Sequence, residues 1–155
     1  MTLTSSNATA NLESVADLTG MRDRQRIDAT MAQSLCQLLE VQRVTVAHRV
    51  GTPEDPRWMI RARVGLGDLW VHSDPYWVPM EELDPVTAHP DWLHCLNQRV
   101  AVSEEWSDTD PPQHHSLFPL PADSGHEGVL EVLSAEPLDA AARRGVAVML
   151  RVYSN

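Results

Sequence analysis

The chain has 155 residues, 43% of them hydrophobic, which is enough apolar material for one domain with a core and too much for a disordered chain. Its formal net charge is -10 and every cation is arginine, so nucleic acid and anionic lipid, both repelled by an acidic surface, are not expected as partners. Two cysteines make no disulfide framework, no basic region leads into an apolar run at the N-terminus, and no apolar stretch approaches the roughly 20 residues that span a bilayer, so a cytoplasmic chain with reduced thiols is expected.

Residues 1–12 are small and polar and read as a disordered tail before a single domain over 13–155. Val15 and Leu18 begin an apolar stripe, which Gly20 interrupts. Ile27, Met31, Leu35 and Leu38/Leu39 then recur three or four residues apart, which predicts a helix from about Asp23 to Leu39. The period changes to two in Val44-Thr45-Val46-Ala47-His48-Arg49-Val50, a strand with valines and His48 on one face. A breaker-rich turn over Gly51–Pro56 leads to a second alternating run, Trp58–Val64, and the two read as an antiparallel hairpin. Leu69-Trp70-Val71-His72 reads as a further short strand. Residues 73–90 carry four prolines and read as a long irregular loop of functional character.

Pro90 suits the first turn of a short helix that carries Trp92, Leu93, Cys95 and Leu96 to about Gln98. Val100-Ala101-Val102 reads as a short strand and the acidic stretch Ser103–Gln113 as an exposed loop. His115–Leu120 is strand-like, with Pro119 marking an edge or an end. A turn to Glu127 precedes a clear strand, Gly128–Ser134, and Pro137-Leu138-Asp139 opens a final helix running to the end of the chain. Strands bracketed by helices, with no long crossover between them, predict an α+β fold with a mostly antiparallel sheet.

Three segments resemble the GAF domain. These are the helix feeding a hairpin over 23–64, the short helix and Val-Ala-Val strand over 91–102, and the pair Ser116–Leu120 and Gly128–Ser134 followed by Glu136-Pro137-Leu138-Asp139 and a helix. The resemblance covers about residues 21–155. Leu18-Thr19-Gly20-Met21-Arg22-Asp23-Arg24 and the ending Met149–Asn155 are similar to GAF domains that precede GGDEF diguanylate cyclase domains, although the Gly-Gly-Asp/Glu-Glu-Phe signature itself is absent. The resemblance implies a GAF-like (PAS/GAF-type) central antiparallel sheet. Terminal helices cover one face, and loops and short helices roof a small-molecule pocket on the other. It also implies a sensory domain of a bacterial signalling protein, covalently linked to an output domain after Asn155 and probed by an unidentified small-molecule ligand.

In that frame Trp70, Tyr76, Trp77 and Trp92 fall in the roof, with His72 and Cys95 among them, and form the candidate ligand pocket. The same rings are equally suited to pinning an irregular loop to the sheet. His72, His89, His94, Cys95, His114 and His115 match no zinc spacing and read as solvated loop histidines, so no metal site is expected. The bilin-binding order of cysteine then histidine is reversed in His94-Cys95. The lysine of the cyclic-nucleotide signature is missing, and no haem motif appears, so the cofactor is left unknown. Glu104-Glu105 reads as a solvated face, and no nucleophile, phosphate-loop or metalloprotease motif is present, so no catalytic residue is assigned.

The terminal helix carries two apolar stripes. Leu138, Ala142, Gly145, Met149 and Val152 repeat at four–three spacing, and Val146, Leu150 and Tyr153 form the other. A surface helix needs only one stripe, so one is expected to face the sheet and the other a second copy in a homodimer, with the first stripe, at coiled-coil spacing, supplying the candidate residues. Two alternatives remain: a ligand-free dimerisation scaffold, and a thiol-dependent enzyme of the methionine sulfoxide reductase kind, for which only Cys36 and Cys95 are available.

Overall fold

β-Branched residues at alternate positions pair into a ladder when each strand buries one face, and most of this chain follows that rule. A computed structural model describes residues 26–65, 68–71, 80–106, 112–120 and 127–153. The predicted tail, the segment 18–24, the roof residues His72, Tyr76 and Trp77 and the turn over 121–126 lie outside the described residues.

Helix α1 occupies 26–39 and ends at Glu40, which takes a left-handed φ of 52° while the Val41 amide returns to the Cys36 carbonyl at 3.3 Å. Strands β1 (Arg43–Thr52) and β2 (Asp55–Gly65) form the predicted hairpin, and β3 (Asp68–Val71) continues the sheet antiparallel to β2. The two-residue β4 (Asp84–Pro85) also pairs with β2. Helix α2 (Pro90–Gln98) starts on proline, as the sequence predicts. Strands β5 (Val102–Trp106), β6 (Gln113–Pro119) and β7 (Gly128–Ser134) precede helix α3 (Ala140–Tyr153). The order across the sheet is β3-β2-β1-β7-β6-β5, antiparallel at every join, and is the α+β arrangement expected.

Three element assignments change. Val100 and Ala101 are not strand, and β5 begins only at Val102. Ser103-Glu104-Glu105 is strand, not exposed loop, because β6 offers it a ladder from Val102↔Leu117 to Trp106↔Gln113. As the sheet edge, β5 tolerates charges that an interior strand would not. Helix α3 begins at Ala140, since Asp139 caps it: its Oδ1 accepts the Ala142 amide at 2.7 Å.

The sheet separates two cores. On one face Met31, Leu35 and Cys36 of α1 and Val146 and Leu150 of α3 pack on Val44, Val46, Leu130 and Val132. On the other, Trp92, Cys95 and Leu96 of α2 pack on Ala47, Trp58, Leu117 and Val129. The alternation of β2 does not give the single face its sequence implies. Val46 pairs with Ala62 and Ala47 with Ile60, so Arg61 is an extra residue, a β-bulge. Past it the even-numbered residues change side: Ala62 and Val64 join the α1/α3 core, whereas Trp58 and Ile60 face α2.

Strand β7 is buried along its whole length, and its first residue is held to glycine. A Cβ at Gly128 would run into the Ala47 carbonyl oxygen and meet Leu120 Cδ1 at 2.8 Å. Around exposed Gly145 of α3 a Cβ would meet nothing within 4 Å. Opposite effects are therefore expected of two like substitutions. Gly128→Ala should lower the free energy of unfolding by about 1–3 kcal/mol through overpacking. Gly145→Ala should raise it by about 0.5–1 kcal/mol through helix propensity. Urea titrations followed by circular dichroism measure both.

Candidate functional site

The middle of β7 places a carboxylate, Glu131, in the α2-side core, where it is 4% exposed. An unmatched charge there would cost several kcal/mol or take up a proton. Three elements supply partners instead. Glu131 Oε2 accepts Trp92 Nε1–H of α2 at 2.9 Å and His115 Nε2–H of β6 at 2.9 Å, and Oε1 accepts Arg43 Nη2–H of β1 at 3.0 Å. The register explains the convergence. Arg43 and His115 both stand opposite Leu133, two residues along from Glu131, so each reaches it diagonally from a flanking strand.

Burial would raise the Glu131 pKa, but the hydrogen bonds from His115 and Trp92 and the charges of His115 and Arg43 override it and hold the carboxyl at about 2. Burial would lower the His115 pKa. Its hydrogen bond and charge contact with Glu131, with Asp91 and Glu104 beyond, raise it on balance above the ordinary histidine value. His115 Nδ1 lies 3.4 Å from Glu104 Oε1 and 3.7 Å from Asp91 Oδ2. The Trp92 ring is fixed from two sides: His89 stacks on it at 3.9 Å, and Trp58 meets it edge-on at 5.5 Å while donating to the Val86 carbonyl at 3.2 Å.

Of the sequence-predicted pocket residues, Trp92 and Cys95 are buried in the α2-side core, so the space directly beneath α2 is filled by side chains. Their apolar packing comes with the polar link of Trp92 to Glu131, a link that no local pattern announces. The backbone of Trp70 belongs to β3; its side chain, with those of His72, Tyr76 and Trp77, lies outside the described residues. His115 is not a solvated loop histidine, since β6 and α2 enclose it to 1% exposure. Glu131, His115 and Arg43 were all missed as a group. The available signal was a lone glutamate inside an otherwise apolar strand.

The cysteines sit on opposite faces of the sheet, Cys36 in the α1/α3 core and Cys95 in the α2 core, and cannot act as a pair. Burial pushes the Cys36 thiol up. Burial and then the charge of Asp91 push Cys95 up to about 11. Both are protonated near neutral pH, and Cys95 donates to the Val100 carbonyl at 3.2 Å, so neither is poised as a nucleophile.

The predicted dimer stripe on the last helix divides. Leu138 is buried in the protomer's own core, and Ala142 and Met149 pack against that core beside Val146 and Leu150. Gly145 and Val152 are exposed. The division has a geometric reason: positions 142, 146, 149 and 150 form one ordinary helix face, whereas Gly145 and Val152 fall with Ala141 and Val148 on the outer side. No helix among the described residues is long and apolar enough to cross a membrane.

No protein-family model matches the chain, and no curated protein matches it either. Solved structures do. The fold is similar to a GAF domain/HD domain protein from Geobacter sulfurreducens, at 12% identity and a TM-score of 0.62 over 88% of this chain and 93% of that one. It is similar to the blue-light absorbing form of the Thermosynechococcus elongatus PixJ GAF domain, at 15% identity and a TM-score of 0.58 over 88% and 86%. The GAF-B domain of DevS from Mycobacterium smegmatis aligns at 17% identity and a TM-score of 0.54 over 84% and 95%. At these identities the likeness is one of architecture, and the chain has the GAF fold.

Removing the central charge should expose the dependence of the roof on it. Glu131→Gln removes the buried charge that His115 and Arg43 share and should cost about 3 kcal/mol, the low end for a broken buried pair because His115 keeps Asp91 and Glu104 nearby and Arg43 reaches solvent. Trp92→Phe keeps a ring but removes one donor to a charged group and should cost about 1.5 kcal/mol. The Glu131 contribution, with a folded pKa below the ordinary 4.5, is complete above that pH and is lost as pH falls toward about 2. The His115 contribution, with a folded pKa above 6.5, is complete below that pH and is lost as pH rises through the raised value. Denaturant midpoints across pH should therefore peak between these limits, and Glu131→Gln should flatten the acid limb.

Proposed function

We propose that this chain is a sensory or regulatory GAF domain of a signal-transduction protein and is not itself an enzyme. The observation that carries this reading is the division of labour across the sheet. A roof helix is tied by Trp92 to a charged centre on one face, and the terminal helices α1 and α3 share a core on the other. The GAF fold of the neighbours, one of them the domain of a light-absorbing protein and another a domain of a GAF/HD protein, supports it. The buried, protonated thiols weigh against a thiol-dependent reductase.

In this reading two copies meet through α3. The contact surface is the outward stripe Ala141, Gly145, Val148 and Val152, at four–three–four spacing, with Val148 and Val152 50% and 62% exposed. A small molecule recognised by the roof segment would favour one helix arrangement over another and so bias an output domain. The output is a diguanylate cyclase following Asn155; the resemblance of residues 18–24 to GAF domains that precede GGDEF domains supports this. Reading the coding region after codon 155 tests it: a GGDEF domain is expected, and any other domain, or a stop, overturns that part.

The filled space beneath α2 favours a second reading, a ligand-free dimerisation scaffold. Thermal melts against a metabolite panel separate the two: a saturable rise in melting temperature is expected of the sensor and none of the scaffold. For the dimer, sedimentation velocity should show two chains in the unaltered protein and one in Val148→Glu/Val152→Glu. Both positions are exposed, so the folded spectrum should be unchanged.

A further inference from the structure

Three chemistry-bearing side chains, well separated in sequence, converge at the edge of the α2 face. Asp91 comes from the first turn of α2, Glu104 from β5 and His115 from β6. Glu104 and His115 stand directly opposite each other in the β5–β6 ladder, and one ligating atom from each of the three residues lies within 4.8 Å of the others. The imidazole forms the floor at 1% exposure, and the carboxylates form the mouth, with side chains 35% and 50% exposed.

The site is more than a cluster of acids, because the ring is held from behind. Glu131 accepts from His115 Nε2 at 2.9 Å, and is itself fixed by Trp92 and Arg43. In the neutral imidazole that hydrogen bond puts the proton on Nε2 and leaves Nδ1 as a lone-pair donor. In the imidazolium form Nδ1–H faces the two carboxylates; release of that proton leaves three lone-pair donors around one space, which a cation can take in the proton's place. A carboxylate on the far nitrogen is the usual support of a metal-ligating histidine.

We infer that Asp91, Glu104 and His115 form a binding site for one divalent transition-metal ion of the zinc or manganese kind. The dimensions fit. Metal–ligand distances of about 2.1 Å hold neighbouring donors about 3.0–3.5 Å apart; the Nδ1 separations are 3.4 and 3.7 Å and all three donors lie within 4.8 Å, so a small inward turn of the two carboxylates closes the set. One imidazole nitrogen with two carboxylate oxygens suits a borderline divalent ion better than calcium or magnesium, which take oxygen alone. The exposed side leaves room for water or a further ligand. A bound ion would pin the first turn of α2 to the β5–β6 edge, and it requires neither a second protomer nor an output domain.

Isothermal titration of the chelator-stripped full chain with Zn2+ tests the site. One saturable site per chain is expected. Asp91→Asn and Glu104→Gln should each weaken it at least tenfold, and the double variant should abolish it. Glu105→Gln, whose side chain alternates to the other side of β5, should leave it unchanged. All these positions are solvent-accessible, and circular dichroism checks that the variants fold. Co2+ absorption bands present in the unaltered chain and absent from the double variant would place the ion on these residues. Failure of Zn2+, Mn2+ and Co2+ to bind saturably overturns the inference. So does undiminished binding by the double variant, which would put the ion on other histidines.

Discussion

A carboxylate set into the middle of a strand that is covered on both faces persists only if fixed donors replace the water it has lost. Glu131 meets that demand with one donor from a neighbouring strand on each side and a third from the helix above. The third is the consequential one. Interdigitated apolar packing already seats α2 on the sheet. The indole N–H of Trp92 adds a direction, and the stacked His89 and edge-on Trp58 hold the ring in the plane that direction needs. The seating of the roof helix thus combines apolar packing with the matching of one buried charge.

The bulge at Arg61 is the second device on which the architecture turns. Without it, Trp58 and Ile60 would lie on the same face as Ala62 and Val64, the α1/α3 side, and α2 would have lost its largest partner. One inserted residue lets a single strand supply apolar side chains to both cores, so the helices on either side of the sheet rest on the same hairpin. A change in the seating of α2 can in this way bear on α1 and α3 through shared strands, without a direct contact between the helices.

The two faces differ in what holds them. The α1/α3 side is mostly aliphatic, with buried His48, paired to Asp28, and the hydroxyls of Ser116 and Ser134 among it, whereas the α2 side combines aromatic packing with a charged network. Charged networks respond to protons and ions in ways that aliphatic packing does not.

Local chemistry left the secondary structure largely readable. The spacing of Met31 and Leu35, the alternation from Val44 and Pro90 at the start of α2 each act over a few residues, and each appears where the pattern put it. The antiparallel α+β arrangement followed from the order of those elements, and the GAF architecture from the resemblance of three segments to that family. Tertiary structure alone decided the rest. Ser103–Glu105 became strand because β6 offered it a partner, and the β2 alternation split because β1 imposed a bulge. Leu138 and Met149 turned to the core because the sheet lies under that side of the helix. His115, Glu131, Asp91 and Glu104 acquired their meaning from neighbours on other elements. Periodicity records only what a residue shares with those a turn or a pleat away, whereas burial and charge matching depend on which distant segment the fold brings against it.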